Sequence, residues 1–136
     1  MSIYNVINAG LYSKLQGGTA LTSLLSGTTA IYYQEAPAGA SLPYVVFDHQ
    51  GGGPDNINPS DMRNQIVYVR GYASTPALAG SVDAHCSTLL HRGSVTVSGY
   101  TTFYCVRETD LSLVETTPAG ERIYSAGALY RVRLTA

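Results

Sequence analysis

Leu42-Pro43-Tyr44-Val45-Val46-Phe47-Asp48-His49 is a short apolar run led by a proline and closed by polar residues. Tyr44, Val45, Val46 and Phe47 are aromatic or β-branched, which suits a pleated strand packed on both faces. Proline fixes φ and lacks an amide donor, so Pro43 fits the first residue of a strand and little else in a sheet. Upstream, Ala30 to Gln34 reads as a short strand and Ala36 to Ser41 as a Pro/Gly turn. Apart from that short strand, the chain before reads as helix. The chain after reads as sheet plus one helix, which makes the Leu42–His49 strand the expected centre of the fold.

Residues 2 to 16 carry Ile3, Ile7, Leu11 and Leu15 at four-residue steps, the stripe of an amphipathic helix. Ser2 is placed to cap it, and Gly17-Gly18 to end it in the left-handed geometry that glycine accepts. Thr19 opens a second short helical segment with Leu21, Leu24 and Leu25, stopped by Gly27. Gln50 to Met62 holds three glycines, two prolines and several Asn/Asp residues, and reads as a long loop without regular structure. Arg63 to Ala73 alternates, with Ile66, Tyr68, Arg70 and Tyr72 on one face and Val67, Val69 and Gly71 on the other.

Ser74 or Thr75 then caps a helix with Pro76 in its first turn. Its stripe reads Leu78, Val82, His85 or Cys86, and Leu89, and Gly93 ends it. Ser94–Ser98 is expected as a short strand, Thr101–Thr109 as another that Leu111–Glu115 continues or bends. Ile123–Leu134 is the final strand, with Tyr130, Val132 and Leu134 on one face and Arg131 and Arg133 on the other. Strands joined by short turns are antiparallel. The expectation is an α+β fold, a mostly antiparallel mixed sheet with two main helices packed on one face. A length of 136 residues fits one domain spanning 1–136.

Charged residues make up only 12%, against about 25% in typical soluble domains. Eleven tyrosines supply most of the aromatic content. Two readings of them stand: rings packed against a protein partner with hydroxyls hydrogen-bonded, or ordinary β-formers in a sheet. A net charge of −1 gives no basic field for nucleic acid. No apolar run approaches the roughly 18 residues of a membrane span, and the N-terminus lacks the basic region of a secretory signal. Cys86 and Cys105 are expected as reduced thiols, with a helix-to-strand pairing as the alternative.

The residues give little support to catalysis. His85 and Cys86 project about 100° apart on a helix and chelate one ion poorly. His91 reads as a cation beside Arg92 in the last helical turn. Gly51-Gly52-Gly53 lacks the Lys-Ser/Thr and the following helix of a phosphate loop. Asp48, Asp55 and Asp61 lack calcium-loop spacing and read as turn formers. Cys105 reads as a small core residue.

The order of elements carries a resemblance. An N-terminal helix, the Leu-rich turn Ala20–Leu25, the strand Ile31-Tyr32-Tyr33, a Pro/Gly turn and Leu42–Phe47 come first. A strand ending near Ser74, a helix, a short strand, the turn Pro118-Ala119-Gly120 and an arginine-bearing last strand follow. This pattern resembles the tail terminator, or tail completion, proteins of long-tailed bacteriophages, over nearly the whole chain. The chain departs from it in the long Gly51–Met62 loop and in its few charges.

The resemblance implies a virion protein with neither enzymatic activity nor cofactor. It implies a homo-hexameric ring on the head-proximal end of a tail tube, assembled in the host cytoplasm. Its partners would be the tail tube protein and a head-completion or stopper protein of the neck. By their place in the pattern, Gly51, Gly52, Gly53, Asp55, Asn56, Asp61 and Arg63 around the loop are the expected inter-subunit or tube contacts. Glu121 and Arg122 in the turn Thr116–Arg122 join them, with Arg131 and Arg133 as further candidates. The competing readings are a head-closure stopper, a tube subunit, or an unrelated α+β binding domain that oligomerises through an edge strand. A tube subunit needs a pair of long hairpin strands, and the sequence shows no obvious pair.

Overall fold

A computed structural model describes residues 2–56 and 61–136. Residues 57–60, the middle of the expected Gly51–Met62 loop, lie outside the described residues.

The Ser2 hydroxyl accepts the Tyr4 amide at 3.2 Å and starts α1 (Ile3–Gln16). Ile3, Val6, Ile7, Leu11 and Leu15 form its buried stripe. Gly17 and Gly18 end the helix, but at φ of −74° and −85°, not in the left-handed region. Gly18 answers a need for space: the Leu89 side chain fills the volume a Cβ would occupy. A second short helix, α2 (Thr19–Thr22), follows and buries Leu21.

Five strands then build one sheet in the order β1-β2-β3-β5-β4. They are β1 (Ile31–Tyr33), β2 (Tyr44–Pro54), β3 (Met62–Ala73), β4 (Thr101–Thr116) and β5 (Arg122–Thr135). Among the described residues, only β1 and β2 pair in parallel; every other neighbour is antiparallel. The α+β expectation holds. The centre differs: β3, not β2, occupies the middle of the order, because β5 returns from the end of the chain to pair with it. Such a long-range pairing leaves no trace in local pattern.

Between β3 and β4 runs α3 (Pro76–Leu90). Thr75 caps it by accepting the Leu78 amide at 3.2 Å, with Pro76 at the first position. Its buried stripe is Ala79, Val82, Cys86 and Leu90, so Cys86 rather than His85 faces inward, and Leu89 packs half-buried beside Leu90. The helices meet the sheet face lined by Val45, Phe47, Val67, Val69, Ala128, Tyr130, Val132 and Leu134. Burial of each such side chain is worth about 1.5–3 kcal/mol.

Three further expectations are corrected. Gly51–Pro54 is strand, not loop: β2 continues past a bulge between His49 and Gly51 and pairs with Arg63–Ile66. Gly52 permits this with a φ of +105°, where the Asn64 backbone leaves no room for a Cβ. Ser94–Ser98 forms no strand. Val95 and Val97 are buried as a plug, and Thr96 packs its carbonyl against Gly10 of α1. Finally, β4 and β5, of 16 and 14 residues, do form a long hairpin. Local pattern predicts both strands near these lengths but not their pairing as one hairpin.

Gly71 lies under α3, and a Cβ there would collide with Cγ1 and Cβ of Val82, a β-branched side chain that cannot swing aside. Gly71→Ala is therefore expected to destabilise by about 1–3 kcal/mol in urea unfolding. Gly80→Ala, on the open face of α3 with nothing within 4 Å, is expected to stabilise by about 0.5–1 kcal/mol. Equal effects at the two sites would contradict this seating of the helix.

Candidate assembly interface

The sheet has one helix-covered face, one face without helices, and two edges. On the uncovered face, Arg70 lies 4.6 Å over the Tyr68 ring and 5.7 Å from the Tyr72 ring, with Asp48 at 3.6 Å. Tyr44 stacks at 5.3 Å on Tyr72 and at 5.8 Å on Tyr32. Partial burial raises the pKa of Tyr44, Tyr68 and Tyr72, so all three stay neutral and keep their hydrogen-bonding protons. Tyr130, by contrast, is fully buried on the helix side. Tyr130 is core, Tyr68 is buried beneath Arg70, and Tyr32, Tyr44 and Tyr72 form a half-buried cluster around that Tyr68–Arg70 pair.

A clamp fixes the outer strand. Both terminal nitrogens of Arg107 on β4 donate to the Asp83 carboxylate of α3 at 2.9 Å, and Nε donates to Asp110 at 2.6 Å. These hydrogen bonds hold the guanidinium pKa above its ordinary value, Asp83 first among them. Burial pushes the neighbouring Tyr130 phenol up to about 12. His91 Nδ1 accepts the Arg107 amide at 3.0 Å. That bond ties the C-terminal end of α3 to the middle of β4. Cys86 and Cys105 are free and buried, and burial pushes the Cys105 thiol up to about 12.

The expected contact residues divide into two groups at opposite ends of the sheet. At one end, Asp55 accepts from Arg133 at 2.7 Å and from Asn64 at 3.2 Å, stapling β2, β3 and β5 together. Gly51, Gly52 and Gly53 lie in β2 beside this staple. Asn56 is exposed at φ +58°. Exposed Asp61 stands 3.9 Å from half-buried Arg63. Arg131 pairs with Glu108 on β4. At the other end, Glu121 and Arg122 close the β4–β5 turn, where Thr117 and Glu121 exchange backbone and hydroxyl hydrogen bonds. Both are exposed, and among the described residues neither has an ion-pair partner.

The sequence did not single out the exposed apolar side chains. Phe103 (55% exposed), Tyr104, Leu111, Leu113 (55%) and Val114 (58%) all lie on β4, one sheet edge. Tyr4 and Tyr33, the other exposed large apolar residues among the described residues, lie at the opposite edge. There, Tyr4 meets His49 edge-on at 4.8 Å and Tyr33 meets it at 6.2 Å, around a cleft of about 410 Å³. His49 Nε2 bonds to Asn8 Oδ1 at 2.9 Å, while Nδ1 is buried without a partner. The apolar run Phe103–Val106 was the available signal. Local pattern reads such a run as buried, because it says nothing of edge position. Among the described residues, no three His, Cys, Asp or Glu side chains converge to hold a metal ion.

A family model described as "Tail completion protein gp17" matches residues 9–135. No curated protein matches the chain. A solved chain from "Virion of native gene transfer agent (GTA) particle" superposes with a TM-score of 0.83 at 14% identity, over 99% of this chain and 98% of that one. That likeness is one of fold.

Burial lowers the His49 pKa below 6.5, an effect that the Tyr4 backbone and then Asp48 only partly oppose. The unfolded chain therefore takes up this proton first as the pH falls. Stability present above about pH 6.5 is lost below it, until the folded pKa is reached. The melting temperature is expected to drop with pH in this window, and His49→Gln to flatten that part of the profile. An identical slope in the variant would remove His49 as the cause.

Proposed function

The chain belongs to the tail completion protein gp17 family, a structural component of phage-type tails, and from this premise we propose that it caps the tail tube as a hexameric ring. The ring stops tube polymerisation at the head-proximal end and gives the neck proteins a surface to join. It works by complementary contact alone, without catalysis, and assembles in the host cytoplasm.

The observation that carries the ring is the pair of dissimilar edges. A head-to-tail contact needs two different surfaces on each copy, and it closes into a ring when the rotation closes. Exposed apolar side chains occur on β4 and on the β1 side, and these edges differ in chemistry. The two ends of the sheet then supply the two axial contacts. Asn56 and Asp61 stand at one end and Glu121 and Arg122 at the other, so tube and neck protein bind at opposite ends.

The long β4–β5 hairpin favours a second reading, a subunit of the tube itself. The two separate on self-assembly: a tube subunit extends into filaments, whereas a cap stops at one ring.

Electron microscopy of the purified protein, alone and mixed with tail tubes, is expected to show six-fold rings or density on one tube end. Filaments, or a monomer that ignores tubes, would overturn the cap. Glu121→Ala/Arg122→Ala and Asn56→Gly/Asp61→Ala are each expected to block one of tube capping and head joining while sparing the other. Wild-type behaviour of both pairs in tail-length and head-joining assays would remove these residues from the axial contacts.

A further inference from the structure

The two edges that a ring would join can be matched residue by residue. On the β4 edge, Phe103 projects as a half-exposed knob, with Arg92 beside it lining the same surface hollow. On the β1–β2 edge, Tyr4, Tyr33 and His49 wall a cleft that Gln34, Gln50, Gly51 and Gly52 complete. The cleft stays open because Gly51 carries no side chain and because β1 stops at Tyr33, leaving the outer side of β2 beyond Phe47 without a neighbouring strand. Just past Tyr33 stands exposed Glu35. Among the described residues, neither Arg92 nor Glu35 has an ion-pair partner within its own chain.

Register places the knob beside the glycine end of the cleft. Tyr104 pairs with Arg133, Arg133 with Asn64, and Asn64 with Gly53. Gly52, which lines the cleft, is level with Cys105 through Gln65 and Val132, so the Phe103–Tyr104 step stands one to two residues past the glycine end of the cleft on the opposite edge. Rotation about an axis running along the strands preserves height and brings these two edges together.

We infer that Phe103 of one copy inserts into the Tyr4–Tyr33–His49 cleft of the next, with Arg92 paired to Glu35 across the joint. The occupant is a second copy of this chain, and the inference rests on the ring reading above. An aromatic side chain buries about 150–250 Å², and edge-to-face ring contacts add to that burial. Knob and cleft are both aromatic, and the flanking charges are opposite, which fixes direction and register. This divides the labour: β4 and the β1–β2 edge close the ring, and the sheet ends are left for tube and neck.

The test is a cysteine pair, Phe103→Cys with Gly51→Cys. A Cβ at Gly51 meets nothing within 4 Å, and both native cysteines are buried and unreactive. Rings formed on tail tubes are oxidised and run on a denaturing gel. The double variant is expected to give a ladder of cross-linked copies up to the closed ring, and each single variant none. Rings seen by microscopy that yield no ladder would overturn the inference and leave the ring standing. Dimers from Phe103→Cys alone would overturn it too, by showing a two-fold contact. Absence of rings from wild-type protein would overturn the ring reading and this joint with it. As a second readout, Arg92→Glu and Glu35→Arg are each expected to lower ring yield at least several-fold, and the double reversal to restore it. A double reversal no better than either single change would remove the ion pair from the joint.

Discussion

Val82 of α3 occupies the space that a side chain at residue 71 would fill. The rest of the architecture depends on this contact between a β-branched residue and a bare backbone. It lets α3 sit close over β3, the central strand, and bury Ala79, Val82, Cys86 and Leu90 against both β3 and β5. With α3 fixed, Leu89 can reach over Gly18 and lock the turn between α1 and α2. Asp83 on the flank of the same helix is then held over β4, where it grips Arg107. A single close approach thereby positions the second helix layer and the outermost strand.

Electrostatics decides what the surface has left to offer. Five of the eight basic side chains are committed to partners within the chain: Arg63 to Asp61, Arg70 to Asp48, Arg107 to Asp83, Arg131 to Glu108 and Arg133 to Asp55. Several of these pairs are partly buried and link different strands, so they specify strand placement more than they add net stability. With few charges free, exposed aromatic and aliphatic groups dominate the edges. That balance suits a subunit whose contacts are made once and kept, since apolar area supplies affinity and a few charges set direction.

Where local reading went astray, the cause was pairing between distant segments. Gly51–Pro54 has the composition of a loop, yet Arg63–Ile66 lies alongside and supplies the ladder that holds it extended. Ser94–Ser98 has strand-like alternation but no strand beside it; its valines are buried against α1, where Gly10 makes room. The Phe103–Val106 run reads as core on composition, but β5 has only one free side, and β4 takes it as an edge strand. Residues 131 and 133 read correctly as a separate face of β5, while their carboxylate partners on β4 and beyond β2 did not.

What the sequence by itself determined was local: the caps at Ser2 and Thr75, the buried stripes of α1 and most of α3, the alternation of β3 and β5, and the class of fold. Each rests on propensities and periods of a few residues, which neighbours in sequence carry. The order of elements was enough to suggest the family. Only the tertiary structure decided that β3 is central, that β4 is an edge, that the glycine run is strand, and that the two groups of expected contacts lie at opposite ends. It also assembled the Tyr4–Tyr33–His49 cleft from three separate elements. These features depend on which strands pair across long separations, a choice set by collective burial of one sheet face and invisible to any single stretch of chain.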